Sequence, residues 1–259
     1  MLIADDSTGL FQVYSAEANA NTIKQLTSGL FESGPATFSP DGTQLVFSHG
    51  PAGAHEIFTA NPDGSNPTQL TDHIRNDSFA QFTSDGLKIL FASKRTGNNE
   101  IYSMNPNGTD ITKLTDNTAE DYAPSPRPGS DDFIFVSERN SNTPQIFYRN
   151  AGLNSTTQLT DAGVNTLPDF NPTGDRIVFV STRAGSAGVF VMESNGGTQT
   201  QLTFGLGFCL APRYSPDGTK IAFTVFDGSD MDIYLMDSDG NNLVQLTNAP
   251  GDQLFLDWK

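Results

Sequence analysis

The chain has 259 residues, with 14 lysines and arginines against 30 aspartates and glutamates, and a formal net charge of −16. That excess of negative charge argues against nucleic acid, whose binding draws on neutralised phosphates, and against docking on anionic lipid; it suits solubility instead. No apolar run nears the roughly 18 residues of a membrane span, the opening Met1-Leu2-Ile3-Ala4-Asp5-Asp6 turns acidic too early for a secretory leader, and the single cysteine, Cys209, leaves no internal disulfide to form.

In chain order, residues 1–27 predict three short strands: Leu2-Ile3-Ala4, Leu10 to Tyr14, and Ile23 to Thr27. From there one pattern recurs. The tripeptide Gln/Lys-Leu-Thr places its leucine at Leu26, Leu70, Leu114, Leu159, Leu202 and Leu246, at spacings of 44, 44, 45, 43 and 44 residues. Ten or eleven residues after each threonine stands Phe38, Phe82, Pro126, Phe170, Tyr214 or Trp258. Turn sequences follow the first five, among them Ser39-Pro40-Asp41-Gly42, Ser84-Asp85-Gly86 and Ser215-Pro216-Asp217-Gly218. Agreement in register across the whole chain marks an internal repeat.

Each repeat reads as four strands, labelled A to D. Strand A ends at the aromatic position. Strand B is a short apolar run such as Leu45-Val46-Phe47, Ile89-Leu90-Phe91 or Ile221-Ala222-Phe223. Strand C carries Ile57-Phe58, Ile101-Tyr102 or Ile233-Tyr234-Leu235, and strand D ends in Leu-Thr. Short runs rich in β-branched and aromatic residues, bounded by turn clusters, predict strands. In Pro-Asp-Gly the proline presets φ and the glycine takes the left-handed position, which suits the A–B hairpin; Asn61-Pro62-Asp63-Gly64 and Asp237-Ser238-Asp239-Gly240 do the same between C and D. The latter opens like a calcium loop but lacks the acidic residue that completes one, so it reads as a turn.

Four short strands per 44 residues without helices describe a β-propeller blade. The predicted fold is all-β: one six-bladed propeller over residues 1–259, with repeats ending at Thr27, Thr71, Thr115, Thr160, Thr203 and Thr247. Residues 1–27 supply B, C and D but no A, whereas residues 253–258 supply an A strand alone. The closing blade is therefore expected to join one C-terminal strand to three N-terminal ones, with Trp258 buried beside its B strand.

The run Pro212 to Thr247, with Tyr214-Ser215-Pro216-Asp217-Gly218, Ile233-Tyr234 and Gln245-Leu246-Thr247, resembles the repeats of TolB-like propellers. The resemblance covers the whole chain and implies the fold. These motif residues are turn and core residues, so it implies less about function, and fold alone does not select one. The family's namesake has a separate N-terminal domain with no counterpart among these repeats. Related propellers accompany serine peptidases and some polysaccharide lyases.

Residues for catalysis are scarce. No Gly-x-Ser-x-Gly elbow is present, and the three histidines are His49, His55 and His73. His49, His55 and Glu56 share one B–C region, but nothing in their spacing presets a metal site. No catalytic residue, metal or cofactor is expected. The D–A and B–C connections share one face around the channel. There the D–A segments carry Glu32, Asp77, Glu120, Asp121 and Asp252, while B–C loops of consecutive blades carry Arg95, Arg139 and Arg183. These eight are the candidate ligand-binding residues; across the ring the B–C loops carry Asp5 and Asp6, and Asp227, Asp230 and Asp232, so the mouth is expected to be basic at its B–C rim on one side and acidic on the other.

The reading is a monomeric, non-enzymatic binding or scaffold propeller, periplasmic or extracellular, that recognises a protein or peptide segment at this mouth. Nucleic acid and membrane insertion are not expected. The rival reading is a lyase or hydrolase of acidic polysaccharide, in which the arginines grip carboxylates and His49 or His55 acts as base. A third is an accessory or designed propeller lacking its partner domain.

Overall fold

A computed structural model describes residues 1–6, 10–16, 23–28, 33–140, 142–248 and 251–259. Among them every regular element is a strand, and the strands form six four-stranded antiparallel sheets. Blade I runs Gln253–Asp257, Leu2–Asp5, Gln12–Ala16, Ile23–Gln25 across its sheet, so both ends of the sequence build it. Blades II to VI begin with A strands Ser33–Phe38, Asp77–Phe82, Asp121–Pro126, Asn165–Phe170 and Phe208–Tyr214, and each runs A-B-C-D. Successive A strands touch, and that of blade I touches those of blades VI and II, closing the ring.

Side chains alternate across a strand, and this alternation builds the core. In blade II, Leu45 and Phe47 pack with Leu2, Ala4 and Val13 of blade I, while Val46 between them packs with Ile89 and Phe91 of blade III. In blade III, Leu90 and Ala92 face Phe133 and Phe135 of blade IV. The two remaining internal seams repeat this, and the sixth joins Ala222 and Ile233 of blade VI to Ile3 and Phe255 of blade I. Each apolar cluster is one seam between neighbouring blades.

The Leu-Thr signature latches the short D strands. Thr71 Oγ1 accepts from Ile57 N at 2.9 Å and donates to Glu56 Oε2 at 2.6 Å. Thr115 does the same with Ile101 and Glu100, and Thr160 with Ile146 and Gln145. The leucine backbone lies against the C–D turn of the next blade. A Cβ on Gly64 (φ +81°) would fall 2.3 Å from Leu26 O, and one on Gly108 (φ +84°) 2.8 Å from Leu70 O. Both conformation and contact require glycine there.

Trp258 is only partly buried. It stands at the A–B end of the channel, where its indole packs edge-on against Phe255 and its Nε1 donates to Tyr214 O of blade VI at 2.6 Å. Deleting residues 253–259 should strip Phe255 and Leu256 from two seams and leave the strand Leu2–Asp5 unpaired on one side. Truncating one buried aromatic or aliphatic side chain costs about 2–5 kcal/mol, so the urea midpoint should fall sharply and light scattering should show association through the bare edge. A truncated chain that stays monomeric with an unchanged midpoint would contradict this closure.

Candidate functional site

The A strands line the channel. Each carries a bulge near its middle, seen as a register shift such as Ser78/Gln81 against strand B. At the bulges of blades III to VI, Phe79, Ala123, Leu167 and Ala211 have φ between 46° and 55°. A non-glycine residue in this region is uncommon and strained; its fourfold recurrence makes it a feature of the channel wall. In blade II the corresponding residue is Pro35, whose ring holds φ negative.

At the level of the bulges the channel holds a cavity of about 250 Å³. Phe79, Leu167, Pro168, Leu210, Leu254 and Phe255 supply much of its apolar wall. Among the residues at the D–A connections, Ile74 is 87% exposed, Phe204 72% and Phe208 56%.

The floor is polar. Arg213 of blade VI donates from Nη1 to Asp169 Oδ1 of blade V at 2.9 Å. With its amide oriented so that the carbonyl faces the guanidinium, Gln81 of blade III accepts from both terminal nitrogens at 2.6 and 2.7 Å. Arg213 therefore spans the channel to the opposite blade. Asp169 also accepts from Ser125 Oγ at 3.3 Å and Tyr214 N at 3.3 Å, and Asp257 accepts from Phe38 N at 2.9 Å. Burial pushes the Asp169 carboxyl up, against the pull of Arg213. Burial likewise raises Asp257 to about 6, opposed by Arg213 and Phe38 N. None of these residues was among the sequence candidates. One signal could have found them: the position just before the last of strand A reads Thr37, Gln81, Ser125, Asp169, Arg213 and Asp257, polar in all six blades.

The arginines at the rim are each bound within their own blade. Arg95 reaches Asp77 Oδ2 at 3.0 Å and Ser93 Oγ at 2.8 Å, and lies 4.8 Å from the Tyr102 ring centroid. Arg139 reaches Asp121 Oδ2 at 2.7 Å and Ser137 Oγ at 2.8 Å, 5.0 Å from Phe147. Arg183 reaches Asn165 Oδ1 at 2.8 Å and Ser181 Oγ at 2.9 Å, 5.1 Å from Phe190. In all three the guanidinium ties the start of strand A to the end of strand B over an aromatic of strand C. Asp77 and Asp121 are fully buried, and burial raises the Asp121 carboxyl against the pull of Ser137 and Arg139.

The other acidic candidates bond locally too. Glu120 Oε2 accepts from Asn99 N at 3.1 Å and Nδ2 at 2.7 Å, with Lys94 at 3.9 Å. Asp252 Oδ1 accepts from Met231 N at 2.9 Å. Glu32 lies outside the described residues. Among the described residues no group of three or more His, Cys, Asp or Glu side chains is placed to hold a metal ion. His55 borders a separate small cavity with Phe11 and Leu256.

These features define a closed six-bladed β-propeller with a largely apolar cavity in its channel. The model of the TolB beta propeller domain matches residues 8–143, more than half of the chain, and the chain belongs to that family. Similar solved structures include TolB from Acinetobacter baumannii, at 20% identity and TM-score 0.85, covering 99% of this chain and 67% of that one. Putative TolB from Agrobacterium tumefaciens, at 21% identity and TM-score 0.80, covers 96% and 89%. An oligogalacturonate lyase in complex with manganese, at 15% identity and TM-score 0.63, covers 92% and 73%. At these identities the likeness shows the fold. No curated protein sequence matches the chain. Among the described residues no helix is long and apolar enough to cross a membrane.

Two predictions follow from this geometry. Arg139→Ala leaves the Asp121 carboxylate buried without its cation, a loss of about 3–5 kcal/mol, and adding Asp121→Asn should restore part of it in urea unfolding. Equal stability of Arg139→Ala and the parent would remove the clamp. The second concerns pH. Asp257 titrates near 6 in the folded chain against about 3.9 unfolded. Its contribution to stability is therefore full below about pH 4 and lost as the pH rises through 6. Asp257→Asn should remove a fall of on the order of 2–3 kcal/mol between pH 4.5 and 6.5; parallel pH profiles for the two chains would refute it.

Proposed function

We propose that the chain is a non-catalytic binding propeller that takes a protein or peptide segment at the D–A mouth. The observation that carries this reading is the apolar cavity inside the channel, on a molecule whose D–A connections also expose Ile74, Phe204 and Phe208. A large apolar side chain of the partner fills the cavity, and its flanks cover the rim. Anchors buried in such pockets dominate the energy of protein interfaces. At the floor, Arg213 is already paired with Asp169, so its charge is partly answered before any ligand arrives and the cavity favours an apolar guest.

In this reading Arg95, Arg139, Arg183, Asp77 and Asp121 hold the rim in shape, and Glu120 and Asp252 order the loops beside it; Glu32 belongs to the same connection in blade II. We place its action in the periplasm or the exterior, a reading the family resemblance supports, and take the chain to act as a monomer.

The test is selection of peptides from a displayed library against the folded chain, followed by the variant Ile74→Ser/Phe208→Ser. Both side chains are exposed, so stability should hold within about 0.5 kcal/mol per site. Selected peptides should carry a bulky apolar residue and bind the variant at least about tenfold more weakly, which takes 1.4 kcal/mol. A library that yields no binder, or binders indifferent to the variant, would sink the reading.

A further inference from the structure

The opposite mouth, where the A–B hairpins meet, has a chemistry the channel cavity lacks. A shallow well of about 260 Å³ opens there, lined by the aromatic residues that end four A strands: Phe38, Phe170, Tyr214 and Trp258. Asp257 is among the residues that line it. Prolines of the hairpins of blades II, V and VI form the edge.

The hairpins add charge. Asp41 and Asp217 accept from Ser39 and Ser215 hydroxyls at 2.6 Å and from Thr43 N and Thr219 N at 3.0 Å. These bonds hold both carboxyls down at about 2, so they stay ionised. Asp85 holds the same place in the hairpin of blade III, and in blade V Asp175 stands two positions later; the Thr83 hydroxyl lowers the first, and the Thr173 hydroxyl with Asn171 the second. The chain's own Lys259 ammonium is drawn to this edge, donating to Ser39 O at 3.0 Å and to Pro40 O. The cations nearby are engaged: Arg213 with Asp169, and Arg176 with Tyr214 and Asp175.

Aromatic faces over a carboxylate attract organic cations, because the ring quadrupoles and the charge act together. The donors and acceptors decide which kind. A primary ammonium carries three N–H groups that need acceptors, and the oxygens at the well each already hold one donor. Tyr214 O takes the Trp258 indole, Ser39 O and Pro40 O take Lys259, and Asp257 Oδ2 takes Phe38 N. An alkylated ammonium donates no such bonds and asks only for charge and apolar contact. We infer that the A–B mouth is a binding site for an alkylated ammonium ion, seated among Phe38, Phe170, Tyr214 and Trp258 with Asp257 as its counter-ion.

Trp258 is the chain's only tryptophan, so its fluorescence reads this well directly. At pH 7.5 the probes are choline and its uncharged isostere 3,3-dimethylbutan-1-ol. Choline should give a saturable change, and the isostere should bind at least tenfold more weakly. Asp257→Asn should weaken choline at least tenfold. Lys259→Ala, at an exposed position, should tighten it several-fold by removing the competing cation, which keeps the test open should the aspartate variant fail to fold. Absence of saturation with choline overturns the inference, as does equal binding of the isostere, or choline binding unchanged by Lys259→Ala and by a folded Asp257→Asn.

Discussion

A four-stranded sheet whose central strand alternates apolar side chains has two faces to bury, and neither can be covered from within. Each must meet a neighbour. Val46 turned toward blade III and Leu45 and Phe47 toward blade I show the constraint at one strand. Repeated around the molecule it leaves a closed ring as the solution, since any open arrangement ends on two bare apolar faces. The remaining features follow: blade I is assembled from both ends of the sequence, and the D strands, only two residues long in most blades, are held by threonine hydroxyls. The seam between blades VI and I packs Ile3, Ala222, Ile233 and Phe255 with Met1, Tyr14, Leu235, Leu246 and Trp258 around them.

Closure also crowds six strands around one axis, and the channel residues answer that crowding layer by layer. Bulges with left-handed residues shape an apolar upper wall. Arg213 bridges to Asp169 and Gln81 in the middle. Aromatic residues and hairpin prolines form the lower mouth. The axis is thus divided by a polar layer into two concavities of different character, one largely apolar and one aromatic with a carboxylate in its lining. A single repeat pattern supports two unlike surfaces because channel positions vary in polarity between blades while seam positions stay apolar.

Much of this was legible in the sequence. Gln/Lys-Leu-Thr and the hairpin Pro-Asp-Gly recur at fixed offsets because a latch and a turn are local demands, so blade number, strand order and the use of both ends to build one blade could be read without coordinates. The rim arginines were legible as residues at one face but not as clamps. Arg139 meets Asp121 across 18 positions of sequence and lies over Phe147 of another strand. A contact of that kind depends on side-chain direction at a strand end, which periodicity does not encode. The left-handed φ of Phe79 and Leu167 was hidden because neither residue type signals it. The partial exposure of Trp258 was missed because it lies just past the end of its strand at Asp257, whereas Phe82, Phe170 and Tyr214 at the same position of the repeat are buried in seams.

The one cysteine sits inside the seam between blades V and VI. Cys209 is 1% exposed, packs with Val178, Val189 and Val225, and donates to Thr203 Oγ1 at 3.6 Å. Burial raises its thiol above the ordinary range, so in the closed ring it meets neither oxidant nor alkylating reagent as a thiolate. Separating those two blades exposes it at once. The rate at which this sulfur becomes modified is then a clock for the breathing of the ring, counting transient openings far too rare to alter any equilibrium signal.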